Sequence, residues 1–254
     1  MHLLDFPLLV FACSFVVLWL ATLAGASVFG KWRRLEPTLR SDFGTILATT
    51  LTLNGLIIGF TFSMAIGRYE QRKNYEEAEA NAIGTEYLRA DLIAGTAADQ
   101  VRSLLKEYVN QRITYYLADD QSRIRQAQGR VAELQKQLWD TVVGTATAER
   151  TAIQAITIVG MNDVLNSQGY AQASWWNRIP TSAWILMTAI AVISNVLLGY
   201  GSRNIKSERQ LLMVLPLIVA LSFLLIADID SPRSGIIRVK PQNLMALAES
   251  MRVR

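Results

Sequence analysis

The chain has 254 residues, of which 51% are hydrophobic and 18% are charged, with a formal net charge of +4. This composition fits neither an ordinary soluble domain nor a disordered chain, and it predicts an integral membrane protein. The small positive charge suits the surface of anionic lipids. Because the basic residues are not gathered into a patch interleaved with aromatic residues, we expect no binding to nucleic acid.

Four apolar segments of about 20 residues, the length of a transmembrane helix, account for this composition. They cover residues 7–30, 44–66, 180–199 and 211–229. The first is too long for a signal peptide, no Lys or Arg precedes it, and the sequence KWRR follows it, so we interpret it as a retained anchor. It contains Cys13, the only cysteine of the chain, which excludes an intrachain disulfide.

The second segment leads without a proline into a charged sequence. Residues 44–66 carry no charge, and residues 67–94 are rich in helix formers and in charge pairs at i,i+4 spacing, such as Arg72 with Glu76. If Gly67 does not interrupt it, one helix of about 75 Å joins a membrane span to an aqueous domain.

A stripe of polar residues runs along one side of this predicted helix, within a sector of about 40° for its polar members. Its polar members are Thr50, Asn54, Thr61 and Arg68, and the apolar residues Ile57, Ile58 and Ala65 fill the stripe. We predict that the stripe lines an ion pore. The alternative is that Asn54 and the threonines hydrogen-bond to carbonyls of their own helix or across a helix pair.

The opposite side of the segment carries small residues. Gly55 and Gly59 form a GxxxG pair, which lets helix backbones approach closely in lipid, so we expect this side to pack on a neighbouring helix.

Beyond the membrane, Arg68 and Arg72 continue the polar stripe. In a symmetric oligomer they would form a ring of positive charge that favours anions at the pore mouth. Alternatively, both side chains reach to lipid headgroups.

Residues 67–178 are predicted to form an all-helical extramembrane domain, since no proline occurs between Pro37 and Pro180. A one-faced helix includes Val101 and Leu105, and a narrow seam runs from Ile124 to Leu138. The seam either joins subunits or packs within the chain. A third helix is expected over 147–165, with Ile153, Ile156 and Val164 on its buried side, and turns are expected at 119–120 and 144–145.

Two tryptophans, Trp175 and Trp176, precede Pro180, as expected at a membrane interface where a third span begins. Pro216 should bend the fourth span. Asp228 and Asp230 close that span and are followed by a basic tail. The predicted domains are therefore 1–66, 67–178, 179–230 and 231–254.

Residues for catalysis or metal binding are scarce. The chain has one histidine, His2, and none of the HExxH, CxxC, GxSxG, GxGxxG or phosphate-loop motifs. Glu76, Glu77 and Glu79 are most simply explained as a solvated helix face. We therefore expect no enzyme activity, no cofactor and no metal.

The sequence over 55–92, GLIIGFTFSMAIGRYEQRKNYEEAEANAIGTEYLRADL, resembles a bestrophin-like bacterial membrane family known as "domain of unknown function 4239". The piece EANAIGT with Leu88 and Arg89 carries most of the resemblance, and DIDSPRSGIIRV at 228–239 agrees with it. We expect structural roles for its polar and glycine positions, namely Glu79, Asn81, Gly84, Arg89, Asp228 and Asp230. Glu79, Asn81 and Arg89 should lie at helix–helix contacts, because polar groups within an Ala-rich helix need hydrogen-bond partners.

The resemblance implies a pentameric anion channel whose second membrane helix lines a narrow hydrophobic neck, with the soluble part in the cytosol. Ile57, Ile58 or Phe62 would then form the neck. The chain has no acidic calcium clasp, so calcium gating is not expected. Basic residues near the span ends number seven on each side, and KWRR favours an external insert by the positive-inside rule, so the sidedness stays open.

The sequence thus predicts an all-α integral membrane protein with four transmembrane helices and a helical soluble insert between spans two and three. The leading interpretation is an anion-selective homo-oligomeric channel, lined by the second span, in the inner (plasma) membrane as a multi-pass protein. Its partners would be the lipid bilayer, further copies of itself and inorganic anions. The alternative is a non-conducting membrane scaffold or sensor.

Overall fold

The computed structural model describes residues 3–29, 37–148, 151–202 and 205–253. These residues form α-helices and short helical turns and contain no strand, which confirms the all-α fold class. The α-helices are α1 (Pro7–Ala24), α2 (Arg40–Arg89), α3 (Thr96–Leu117), α4 (Gln121–Ala148), α5 (Ala152–Trp176), α6 (Thr181–Gly201), α7 (Ile205–Asp230) and α8 (Gln242–Val253). His2, Lys31, Arg33, Arg34 and Arg203 lie outside the described residues.

The helices group into two compact units. The first unit comprises Met1–Tyr69 and Arg178–Arg238, and the second comprises Glu70–Asn177 and Val239–Arg254. Helix α2 belongs to both, because it continues through Gly67 without interruption, as the sequence predicted.

Four helical stretches among the described residues are long and apolar enough to cross a membrane. They are Pro7–Ser27, Arg40–Leu92, Ala152–Gly201 and Glu208–Asp230. Each contains most of one predicted apolar segment. The second stretch has 53 residues, more than twice what a bilayer requires, and its uncharged part at 44–66 has the length of one span.

Close approach of α1 and α6 organises the first unit. A Cβ at Gly199 would collide with the carbonyl oxygen of Thr22, and a Cβ at Gly25 would collide with that of Val196. The hydroxyl of Thr22, which is fully buried, donates to Asn195 Oδ1 at 3.2 Å. Small residues at a helix crossing and a buried polar bridge are the usual means of packing helices in lipid.

The core of the second unit is built by α3 and α4, with residues from α2, α5 and α8. The predicted seam of α4 is buried here, with Leu134 and Leu138 fully inaccessible, beside Leu105 and Tyr108 of α3. The seam therefore packs within the chain, and its alternative interpretation as a subunit interface is wrong.

Several predicted boundaries in the second unit need correction. The turn at 119–120 is confirmed, but the turn expected at 144–145 lies inside α4, which continues to Ala148. Helix α5 begins at Ala152 because Thr151 and Gln154 form a capping box, with reciprocal side chain–backbone bonds of 3.3 Å. It continues to Trp176, well beyond residue 165.

The buried side of α5 also differs from the prediction. Val164 is buried as expected, but Ile153 and Ile156 are about half exposed, and Gly160 and Met161 face the core instead. Trp175 packs in this core against Tyr115 and Tyr116, whereas Trp176 is 73% exposed.

The basic tail predicted at 231–254 contains a helix, α8, which packs in the core of the second unit.

We predict that Gly199→Ala lowers the stability of the protein in mild detergent by about 1–3 kcal/mol, because a methyl group there meets backbone atoms that cannot rotate away. Thermal unfolding followed by tryptophan fluorescence measures this. Gly44→Ala is the matched control, since a Cβ at Gly44 meets nothing within 4 Å. Equal melting temperatures for the two variants would contradict the proposed helix crossing.

Candidate functional site: the two faces of the long helix

The predicted polar stripe of α2 faces the interior of the first unit. Asn54 and Thr61 are 2% and 4% exposed. The hydroxyl of Thr61 donates to the carbonyl of Ile57 at 2.8 Å, and that of Thr50 donates to Ile46 at the same distance. Both threonines therefore satisfy their hydrogen bonds on their own helix, as the alternative interpretation expected.

The apolar members of the stripe pack in the same direction. Ile57, Ile58 and Phe62 are partly buried against a cluster that includes Met187 and Phe223. Their expected role as neck residues is not tested by this packing and stays a prediction. In the arrangement seen in the protomer, they present little surface to an ion.

Asn54 is the unusual member of the stripe. Its Oδ1 atom is buried and accepts no hydrogen bond from the described residues. A buried amide oxygen without a donor costs about 1–3 kcal/mol. A buried water molecule that donates to Oδ1 would remove that cost.

The opposite side of α2 is open. Leu56, Phe60 and Met64 are 52%, 62% and 40% exposed. A Cβ added at Gly55 or Gly59 would meet nothing within 4 Å. Within the protomer, the small-residue side that we expected to be packed is thus uncovered, and the polar stripe is covered.

The two arginines predicted for a pore mouth differ in exposure. Arg68 is half-buried, whereas Arg72 is 2% exposed inside the second unit. Of these two residues, Arg68 is therefore the one that can present charge to ions.

Beyond the span, Glu79 is paired with Arg112 of α3. Both side chains are buried, and Arg112 Nη2 donates to Glu79 Oε2 at 3.0 Å while Arg112 Nε contacts Glu79 Oε1. The hydroxyl of Tyr116 donates to the same carboxylate at 3.4 Å. The guanidinium also lies 4.9 Å from the ring centre of Tyr115. The predicted helix–helix contact of Glu79 is confirmed.

The surroundings of Arg112 favour its charged form. Burial by itself would lower the pKa of Arg112, but the charge and hydrogen bonds of Glu79 raise it on balance. Burial, together with the negative charge of Glu79, raises the pKa of Tyr108 and of Tyr116, so both phenols stay protonated. The pair is a structural bridge between α2 and α3.

Glu76 has a second structural role on α2. Its carboxylate accepts the backbone N–H of Leu244 at 2.9 Å and the side-chain amide of Asn243 at 2.7 Å. It therefore caps the N-terminus of α8, where the helix dipole favours a negative charge. The interpretation of Glu76 and Glu79 as a solvated face is wrong, while Glu77 is exposed as expected.

Glu86 is a buried carboxyl group of a different kind. Its side chain is inaccessible, and neither oxygen meets a hydrogen-bond donor among the described residues. It packs on Gly160 of α5, where a Cβ would collide with its Oε2 atom. Arg89 Nη1 lies 3.8 Å away, too far for a hydrogen bond. Burial raises the pKa of Glu86 to about 7, an effect that Arg89 opposes and Asp163 reinforces.

The remaining motif residues lie in two places. Asn81 is exposed and does not make the buried helix contact that we expected, whereas Gly84 lets α8 approach, with Leu247 Cδ1 3.1 Å from its Cβ position. In the first unit, Asp230 accepts the N–H of Ile179 at 3.0 Å, and Asp228 accepts that of Ile236 at 2.7 Å. Among the described residues, no three His, Cys, Asp or Glu side chains lie together as metal ligands would.

The fold thus defines an all-helical membrane protein in which one helix passes from an apolar span into a packed helical unit. The chain matches the model of the bestrophin-like domain over residues 11–244, and it belongs to the bestrophin-like family. This confirms the resemblance seen in the sequence.

Solved structures of a bacterial bestrophin homologue from Klebsiella pneumoniae share this fold. One is 12% identical, with 95% of this chain and 96% of that chain covered and a TM-score of 0.61. Another is 10% identical, with 97% and 96% covered and a TM-score of 0.62. At such identities the similarity concerns the fold alone. No curated protein has a significantly similar sequence.

We expect Glu79→Gln to destabilise the protein by about 3–5 kcal/mol, because it leaves the charge of Arg112 buried without its partner. Chemical or thermal unfolding in detergent measures the change. The matched control is Glu107→Gln, which removes one partner of the exposed ion pair with Arg130 and should cost at most about 1 kcal/mol. Similar losses in both variants would contradict the bridge.

A second prediction concerns pH. Because the folded state raises the pKa of Glu86 to about 7 from an ordinary 4.5, its stabilising effect is complete below pH 4.5 and is lost as pH rises through 7. The loss is about 3 kcal/mol at most. Glu86→Gln should flatten the dependence of the melting temperature on pH between 5 and 8, and Glu77→Gln should not. An unchanged slope in Glu86→Gln would contradict this account.

Proposed function

We propose that the protein is an oligomeric, anion-selective ion channel of the inner (plasma) membrane, and that α2 lines its pore. The observation that carries this proposal is the exposure of α2. Within the protomer, 6% of the residues in an 18-residue apolar stretch of α2 are buried. The corresponding shares in the other three candidate spans are 22%, 33% and 50%. A span that its own chain leaves uncovered must contact lipid, further copies or a pore.

The open side of α2 has the character of a pore constriction. Leu56, Phe60 and Met64 follow one another at four-residue spacing, so they lie along one side of the helix. In a ring of α2 helices this row would form a dry, apolar neck of the kind that gates by dewetting. We favour this row over the residues that the sequence predicted as pore-lining, which pack towards the interior of the first unit, namely Thr50, Asn54, Ile57, Ile58, Thr61 and Phe62.

Self-association follows from the same surface. Gly55 and Gly59 leave room for the backbone of another helix. A homo-oligomer would supply apolar cover for the open side. Membership of the bestrophin-like family supports a channel, and the resemblance supports a pentamer.

Anion selectivity is proposed from charge. Residues 44–66 contain no acidic side chain, and Arg68 stands half-buried directly beyond them. A ring of such arginines would concentrate anions at the end of the span, and added salt would screen the effect.

Planar-bilayer recording of the purified protein tests the proposal. The wild type should conduct anions, Phe60→Ala should raise the conductance by widening the neck, and Arg68→Glu should move the reversal potential towards that of the cation. Ile58→Ala tests the competing stripe and should change conductance less than Phe60→Ala does.

Ile193→Ala is the matched control, because Ile193 is 54% exposed in the middle of α6 and has no place in the proposed pore. Native mass spectrometry establishes that each variant assembles. Silent bilayers from correctly assembled wild type would overturn the channel and favour the scaffold or sensor. A larger effect of Ile58→Ala than of Phe60→Ala would overturn the lining that we favour.

A further inference from the structure

An apolar groove of about 440 Å³ lies within the first unit. Its walls are the start of α1, the end of α7 and the turn at 231–238 that follows α7. The groove is apolar because its lining includes the side chains of Leu8, Leu9, Leu224, Leu225, Ile236 and Ile237. The residues that line this groove are different from those proposed to line the pore.

The groove opens at the edge of the membrane spans. Arg178, just before α6, donates from Nε to Asp230 at 3.3 Å and also pairs with Asp5, which lies two residues before α1. This ion cluster joins the ends of three spans at one level. Charged groups of this kind stay at the headgroup boundary rather than in the hydrocarbon. The adjoining groove therefore lies where the acyl chains of a lipid begin.

The turn that closes the groove is held in place. The carboxylate of Asp228 accepts the backbone N–H of Ile236 at 2.7 Å and that of Ile237 at 2.9 Å. Gly235 packs so closely on the end of α7 that a Cβ would collide with the carbonyl oxygen of Asp228. These contacts fix the backbone, and they leave the side chain of Ile236 94% exposed.

Such an exposed isoleucine on a fixed backbone calls for apolar cover. Burying it would contribute about 1.5–3 kcal/mol. Positive charge stands next to it, since Arg238 donates from Nε to the carbonyl of Gly235 at 2.6 Å and Arg233 lies in the same turn. Arg238 is exposed and directly follows Ile237 of the groove lining, so an apolar groove and a positive charge stand together, as the two parts of an anionic phospholipid require.

We propose that this groove binds one acyl chain of an anionic phospholipid, with the phosphate of its headgroup beside Arg238. The chain would cover Ile236 and the leucines of α1 and α7. Arg238 would supply the preference for an anionic headgroup, because a guanidinium matches phosphate oxygens in both charge and geometry. The bound lipid would join the N-terminal span to the last span at the membrane edge.

Native mass spectrometry of the full-length protein, released from nanodiscs of phosphatidylglycerol and phosphatidylcholine in equal amounts, tests the proposal. The wild type should retain phosphatidylglycerol in preference. Arg238→Gln should reduce that preference about fivefold, the equivalent of about 1 kcal/mol for one basic residue at a lipid surface. Ile236→Ser should reduce retention of both lipids about tenfold.

Matched controls come from the second unit. Arg125→Gln and Ile153→Ser alter an exposed arginine and an exposed isoleucine away from the groove, and they should leave both quantities unchanged. Equal retention in the wild type, Arg238→Gln and Ile236→Ser would overturn the proposal.

A spin label at position 236 in a Cys13→Ser background identifies what covers the groove. High accessibility to oxygen and low accessibility to a water-soluble nickel chelate would support a lipid chain. Dipolar broadening between subunits, with low accessibility to both reagents, would overturn the proposal by showing that a second copy occupies the site. Neither measurement requires ion conduction, so its outcome is independent of the proposed function.

Discussion

The continuity of α2 is the constraint on which the rest of the structure depends. Its uncharged part needs an apolar surrounding, and its charged continuation carries Glu76, Glu79 and Glu86 into the interior of a packed unit. A helix cannot change direction to place these groups in water without breaking its backbone hydrogen bonds. Each carboxyl group must therefore be accommodated where the helix places it.

The three carboxyl groups meet this constraint in different ways. Glu79 is paired with the guanidinium of Arg112, and Glu76 caps the first turn of α8. Glu86 has Arg89 beside it, at 3.8 Å and beyond hydrogen-bond distance, and burial raises the pKa of Glu86 to about 7. Two of these groups join α2 to other helices, and the third packs on Gly160 of α5.

The architecture could be predicted from the sequence because it depends on local properties. The lengths of the apolar segments located the spans. The i,i+4 charge pairs, together with the absence of proline, indicated that α2 continues past Gly67. The sequence predicted that Glu79 lies at a helix–helix contact, but it could not identify the partner of Glu79 or the capping role of Glu76. Their partners lie 33 and 168 residues away along the chain. Periodicity identified the two sides of α2 but could not tell which one its own chain covers.

The prediction of the buried side of α5 was wrong for a related reason. The residues with high hydrophobicity, Ile153 and Ile156, were expected to be buried. The side that packs is instead built around Gly160, where an added Cβ would meet the carboxylate of Glu86. Close packing around a buried carboxyl group selects small residues, and a count of apolar residues does not detect it.

The central claim is that the open side of α2 faces the axis of an oligomer. A density map of the assembled protein in lipid nanodiscs tests it most directly, through the distance of each α2 from the symmetry axis. The account predicts that the α2 helices surround the axis, with Phe60 and its neighbours Leu56 and Met64 pointing inwards. The claim would be contradicted if the α2 helices lay at the periphery of the oligomer, with Phe60 in contact with lipid and a different helix at the axis.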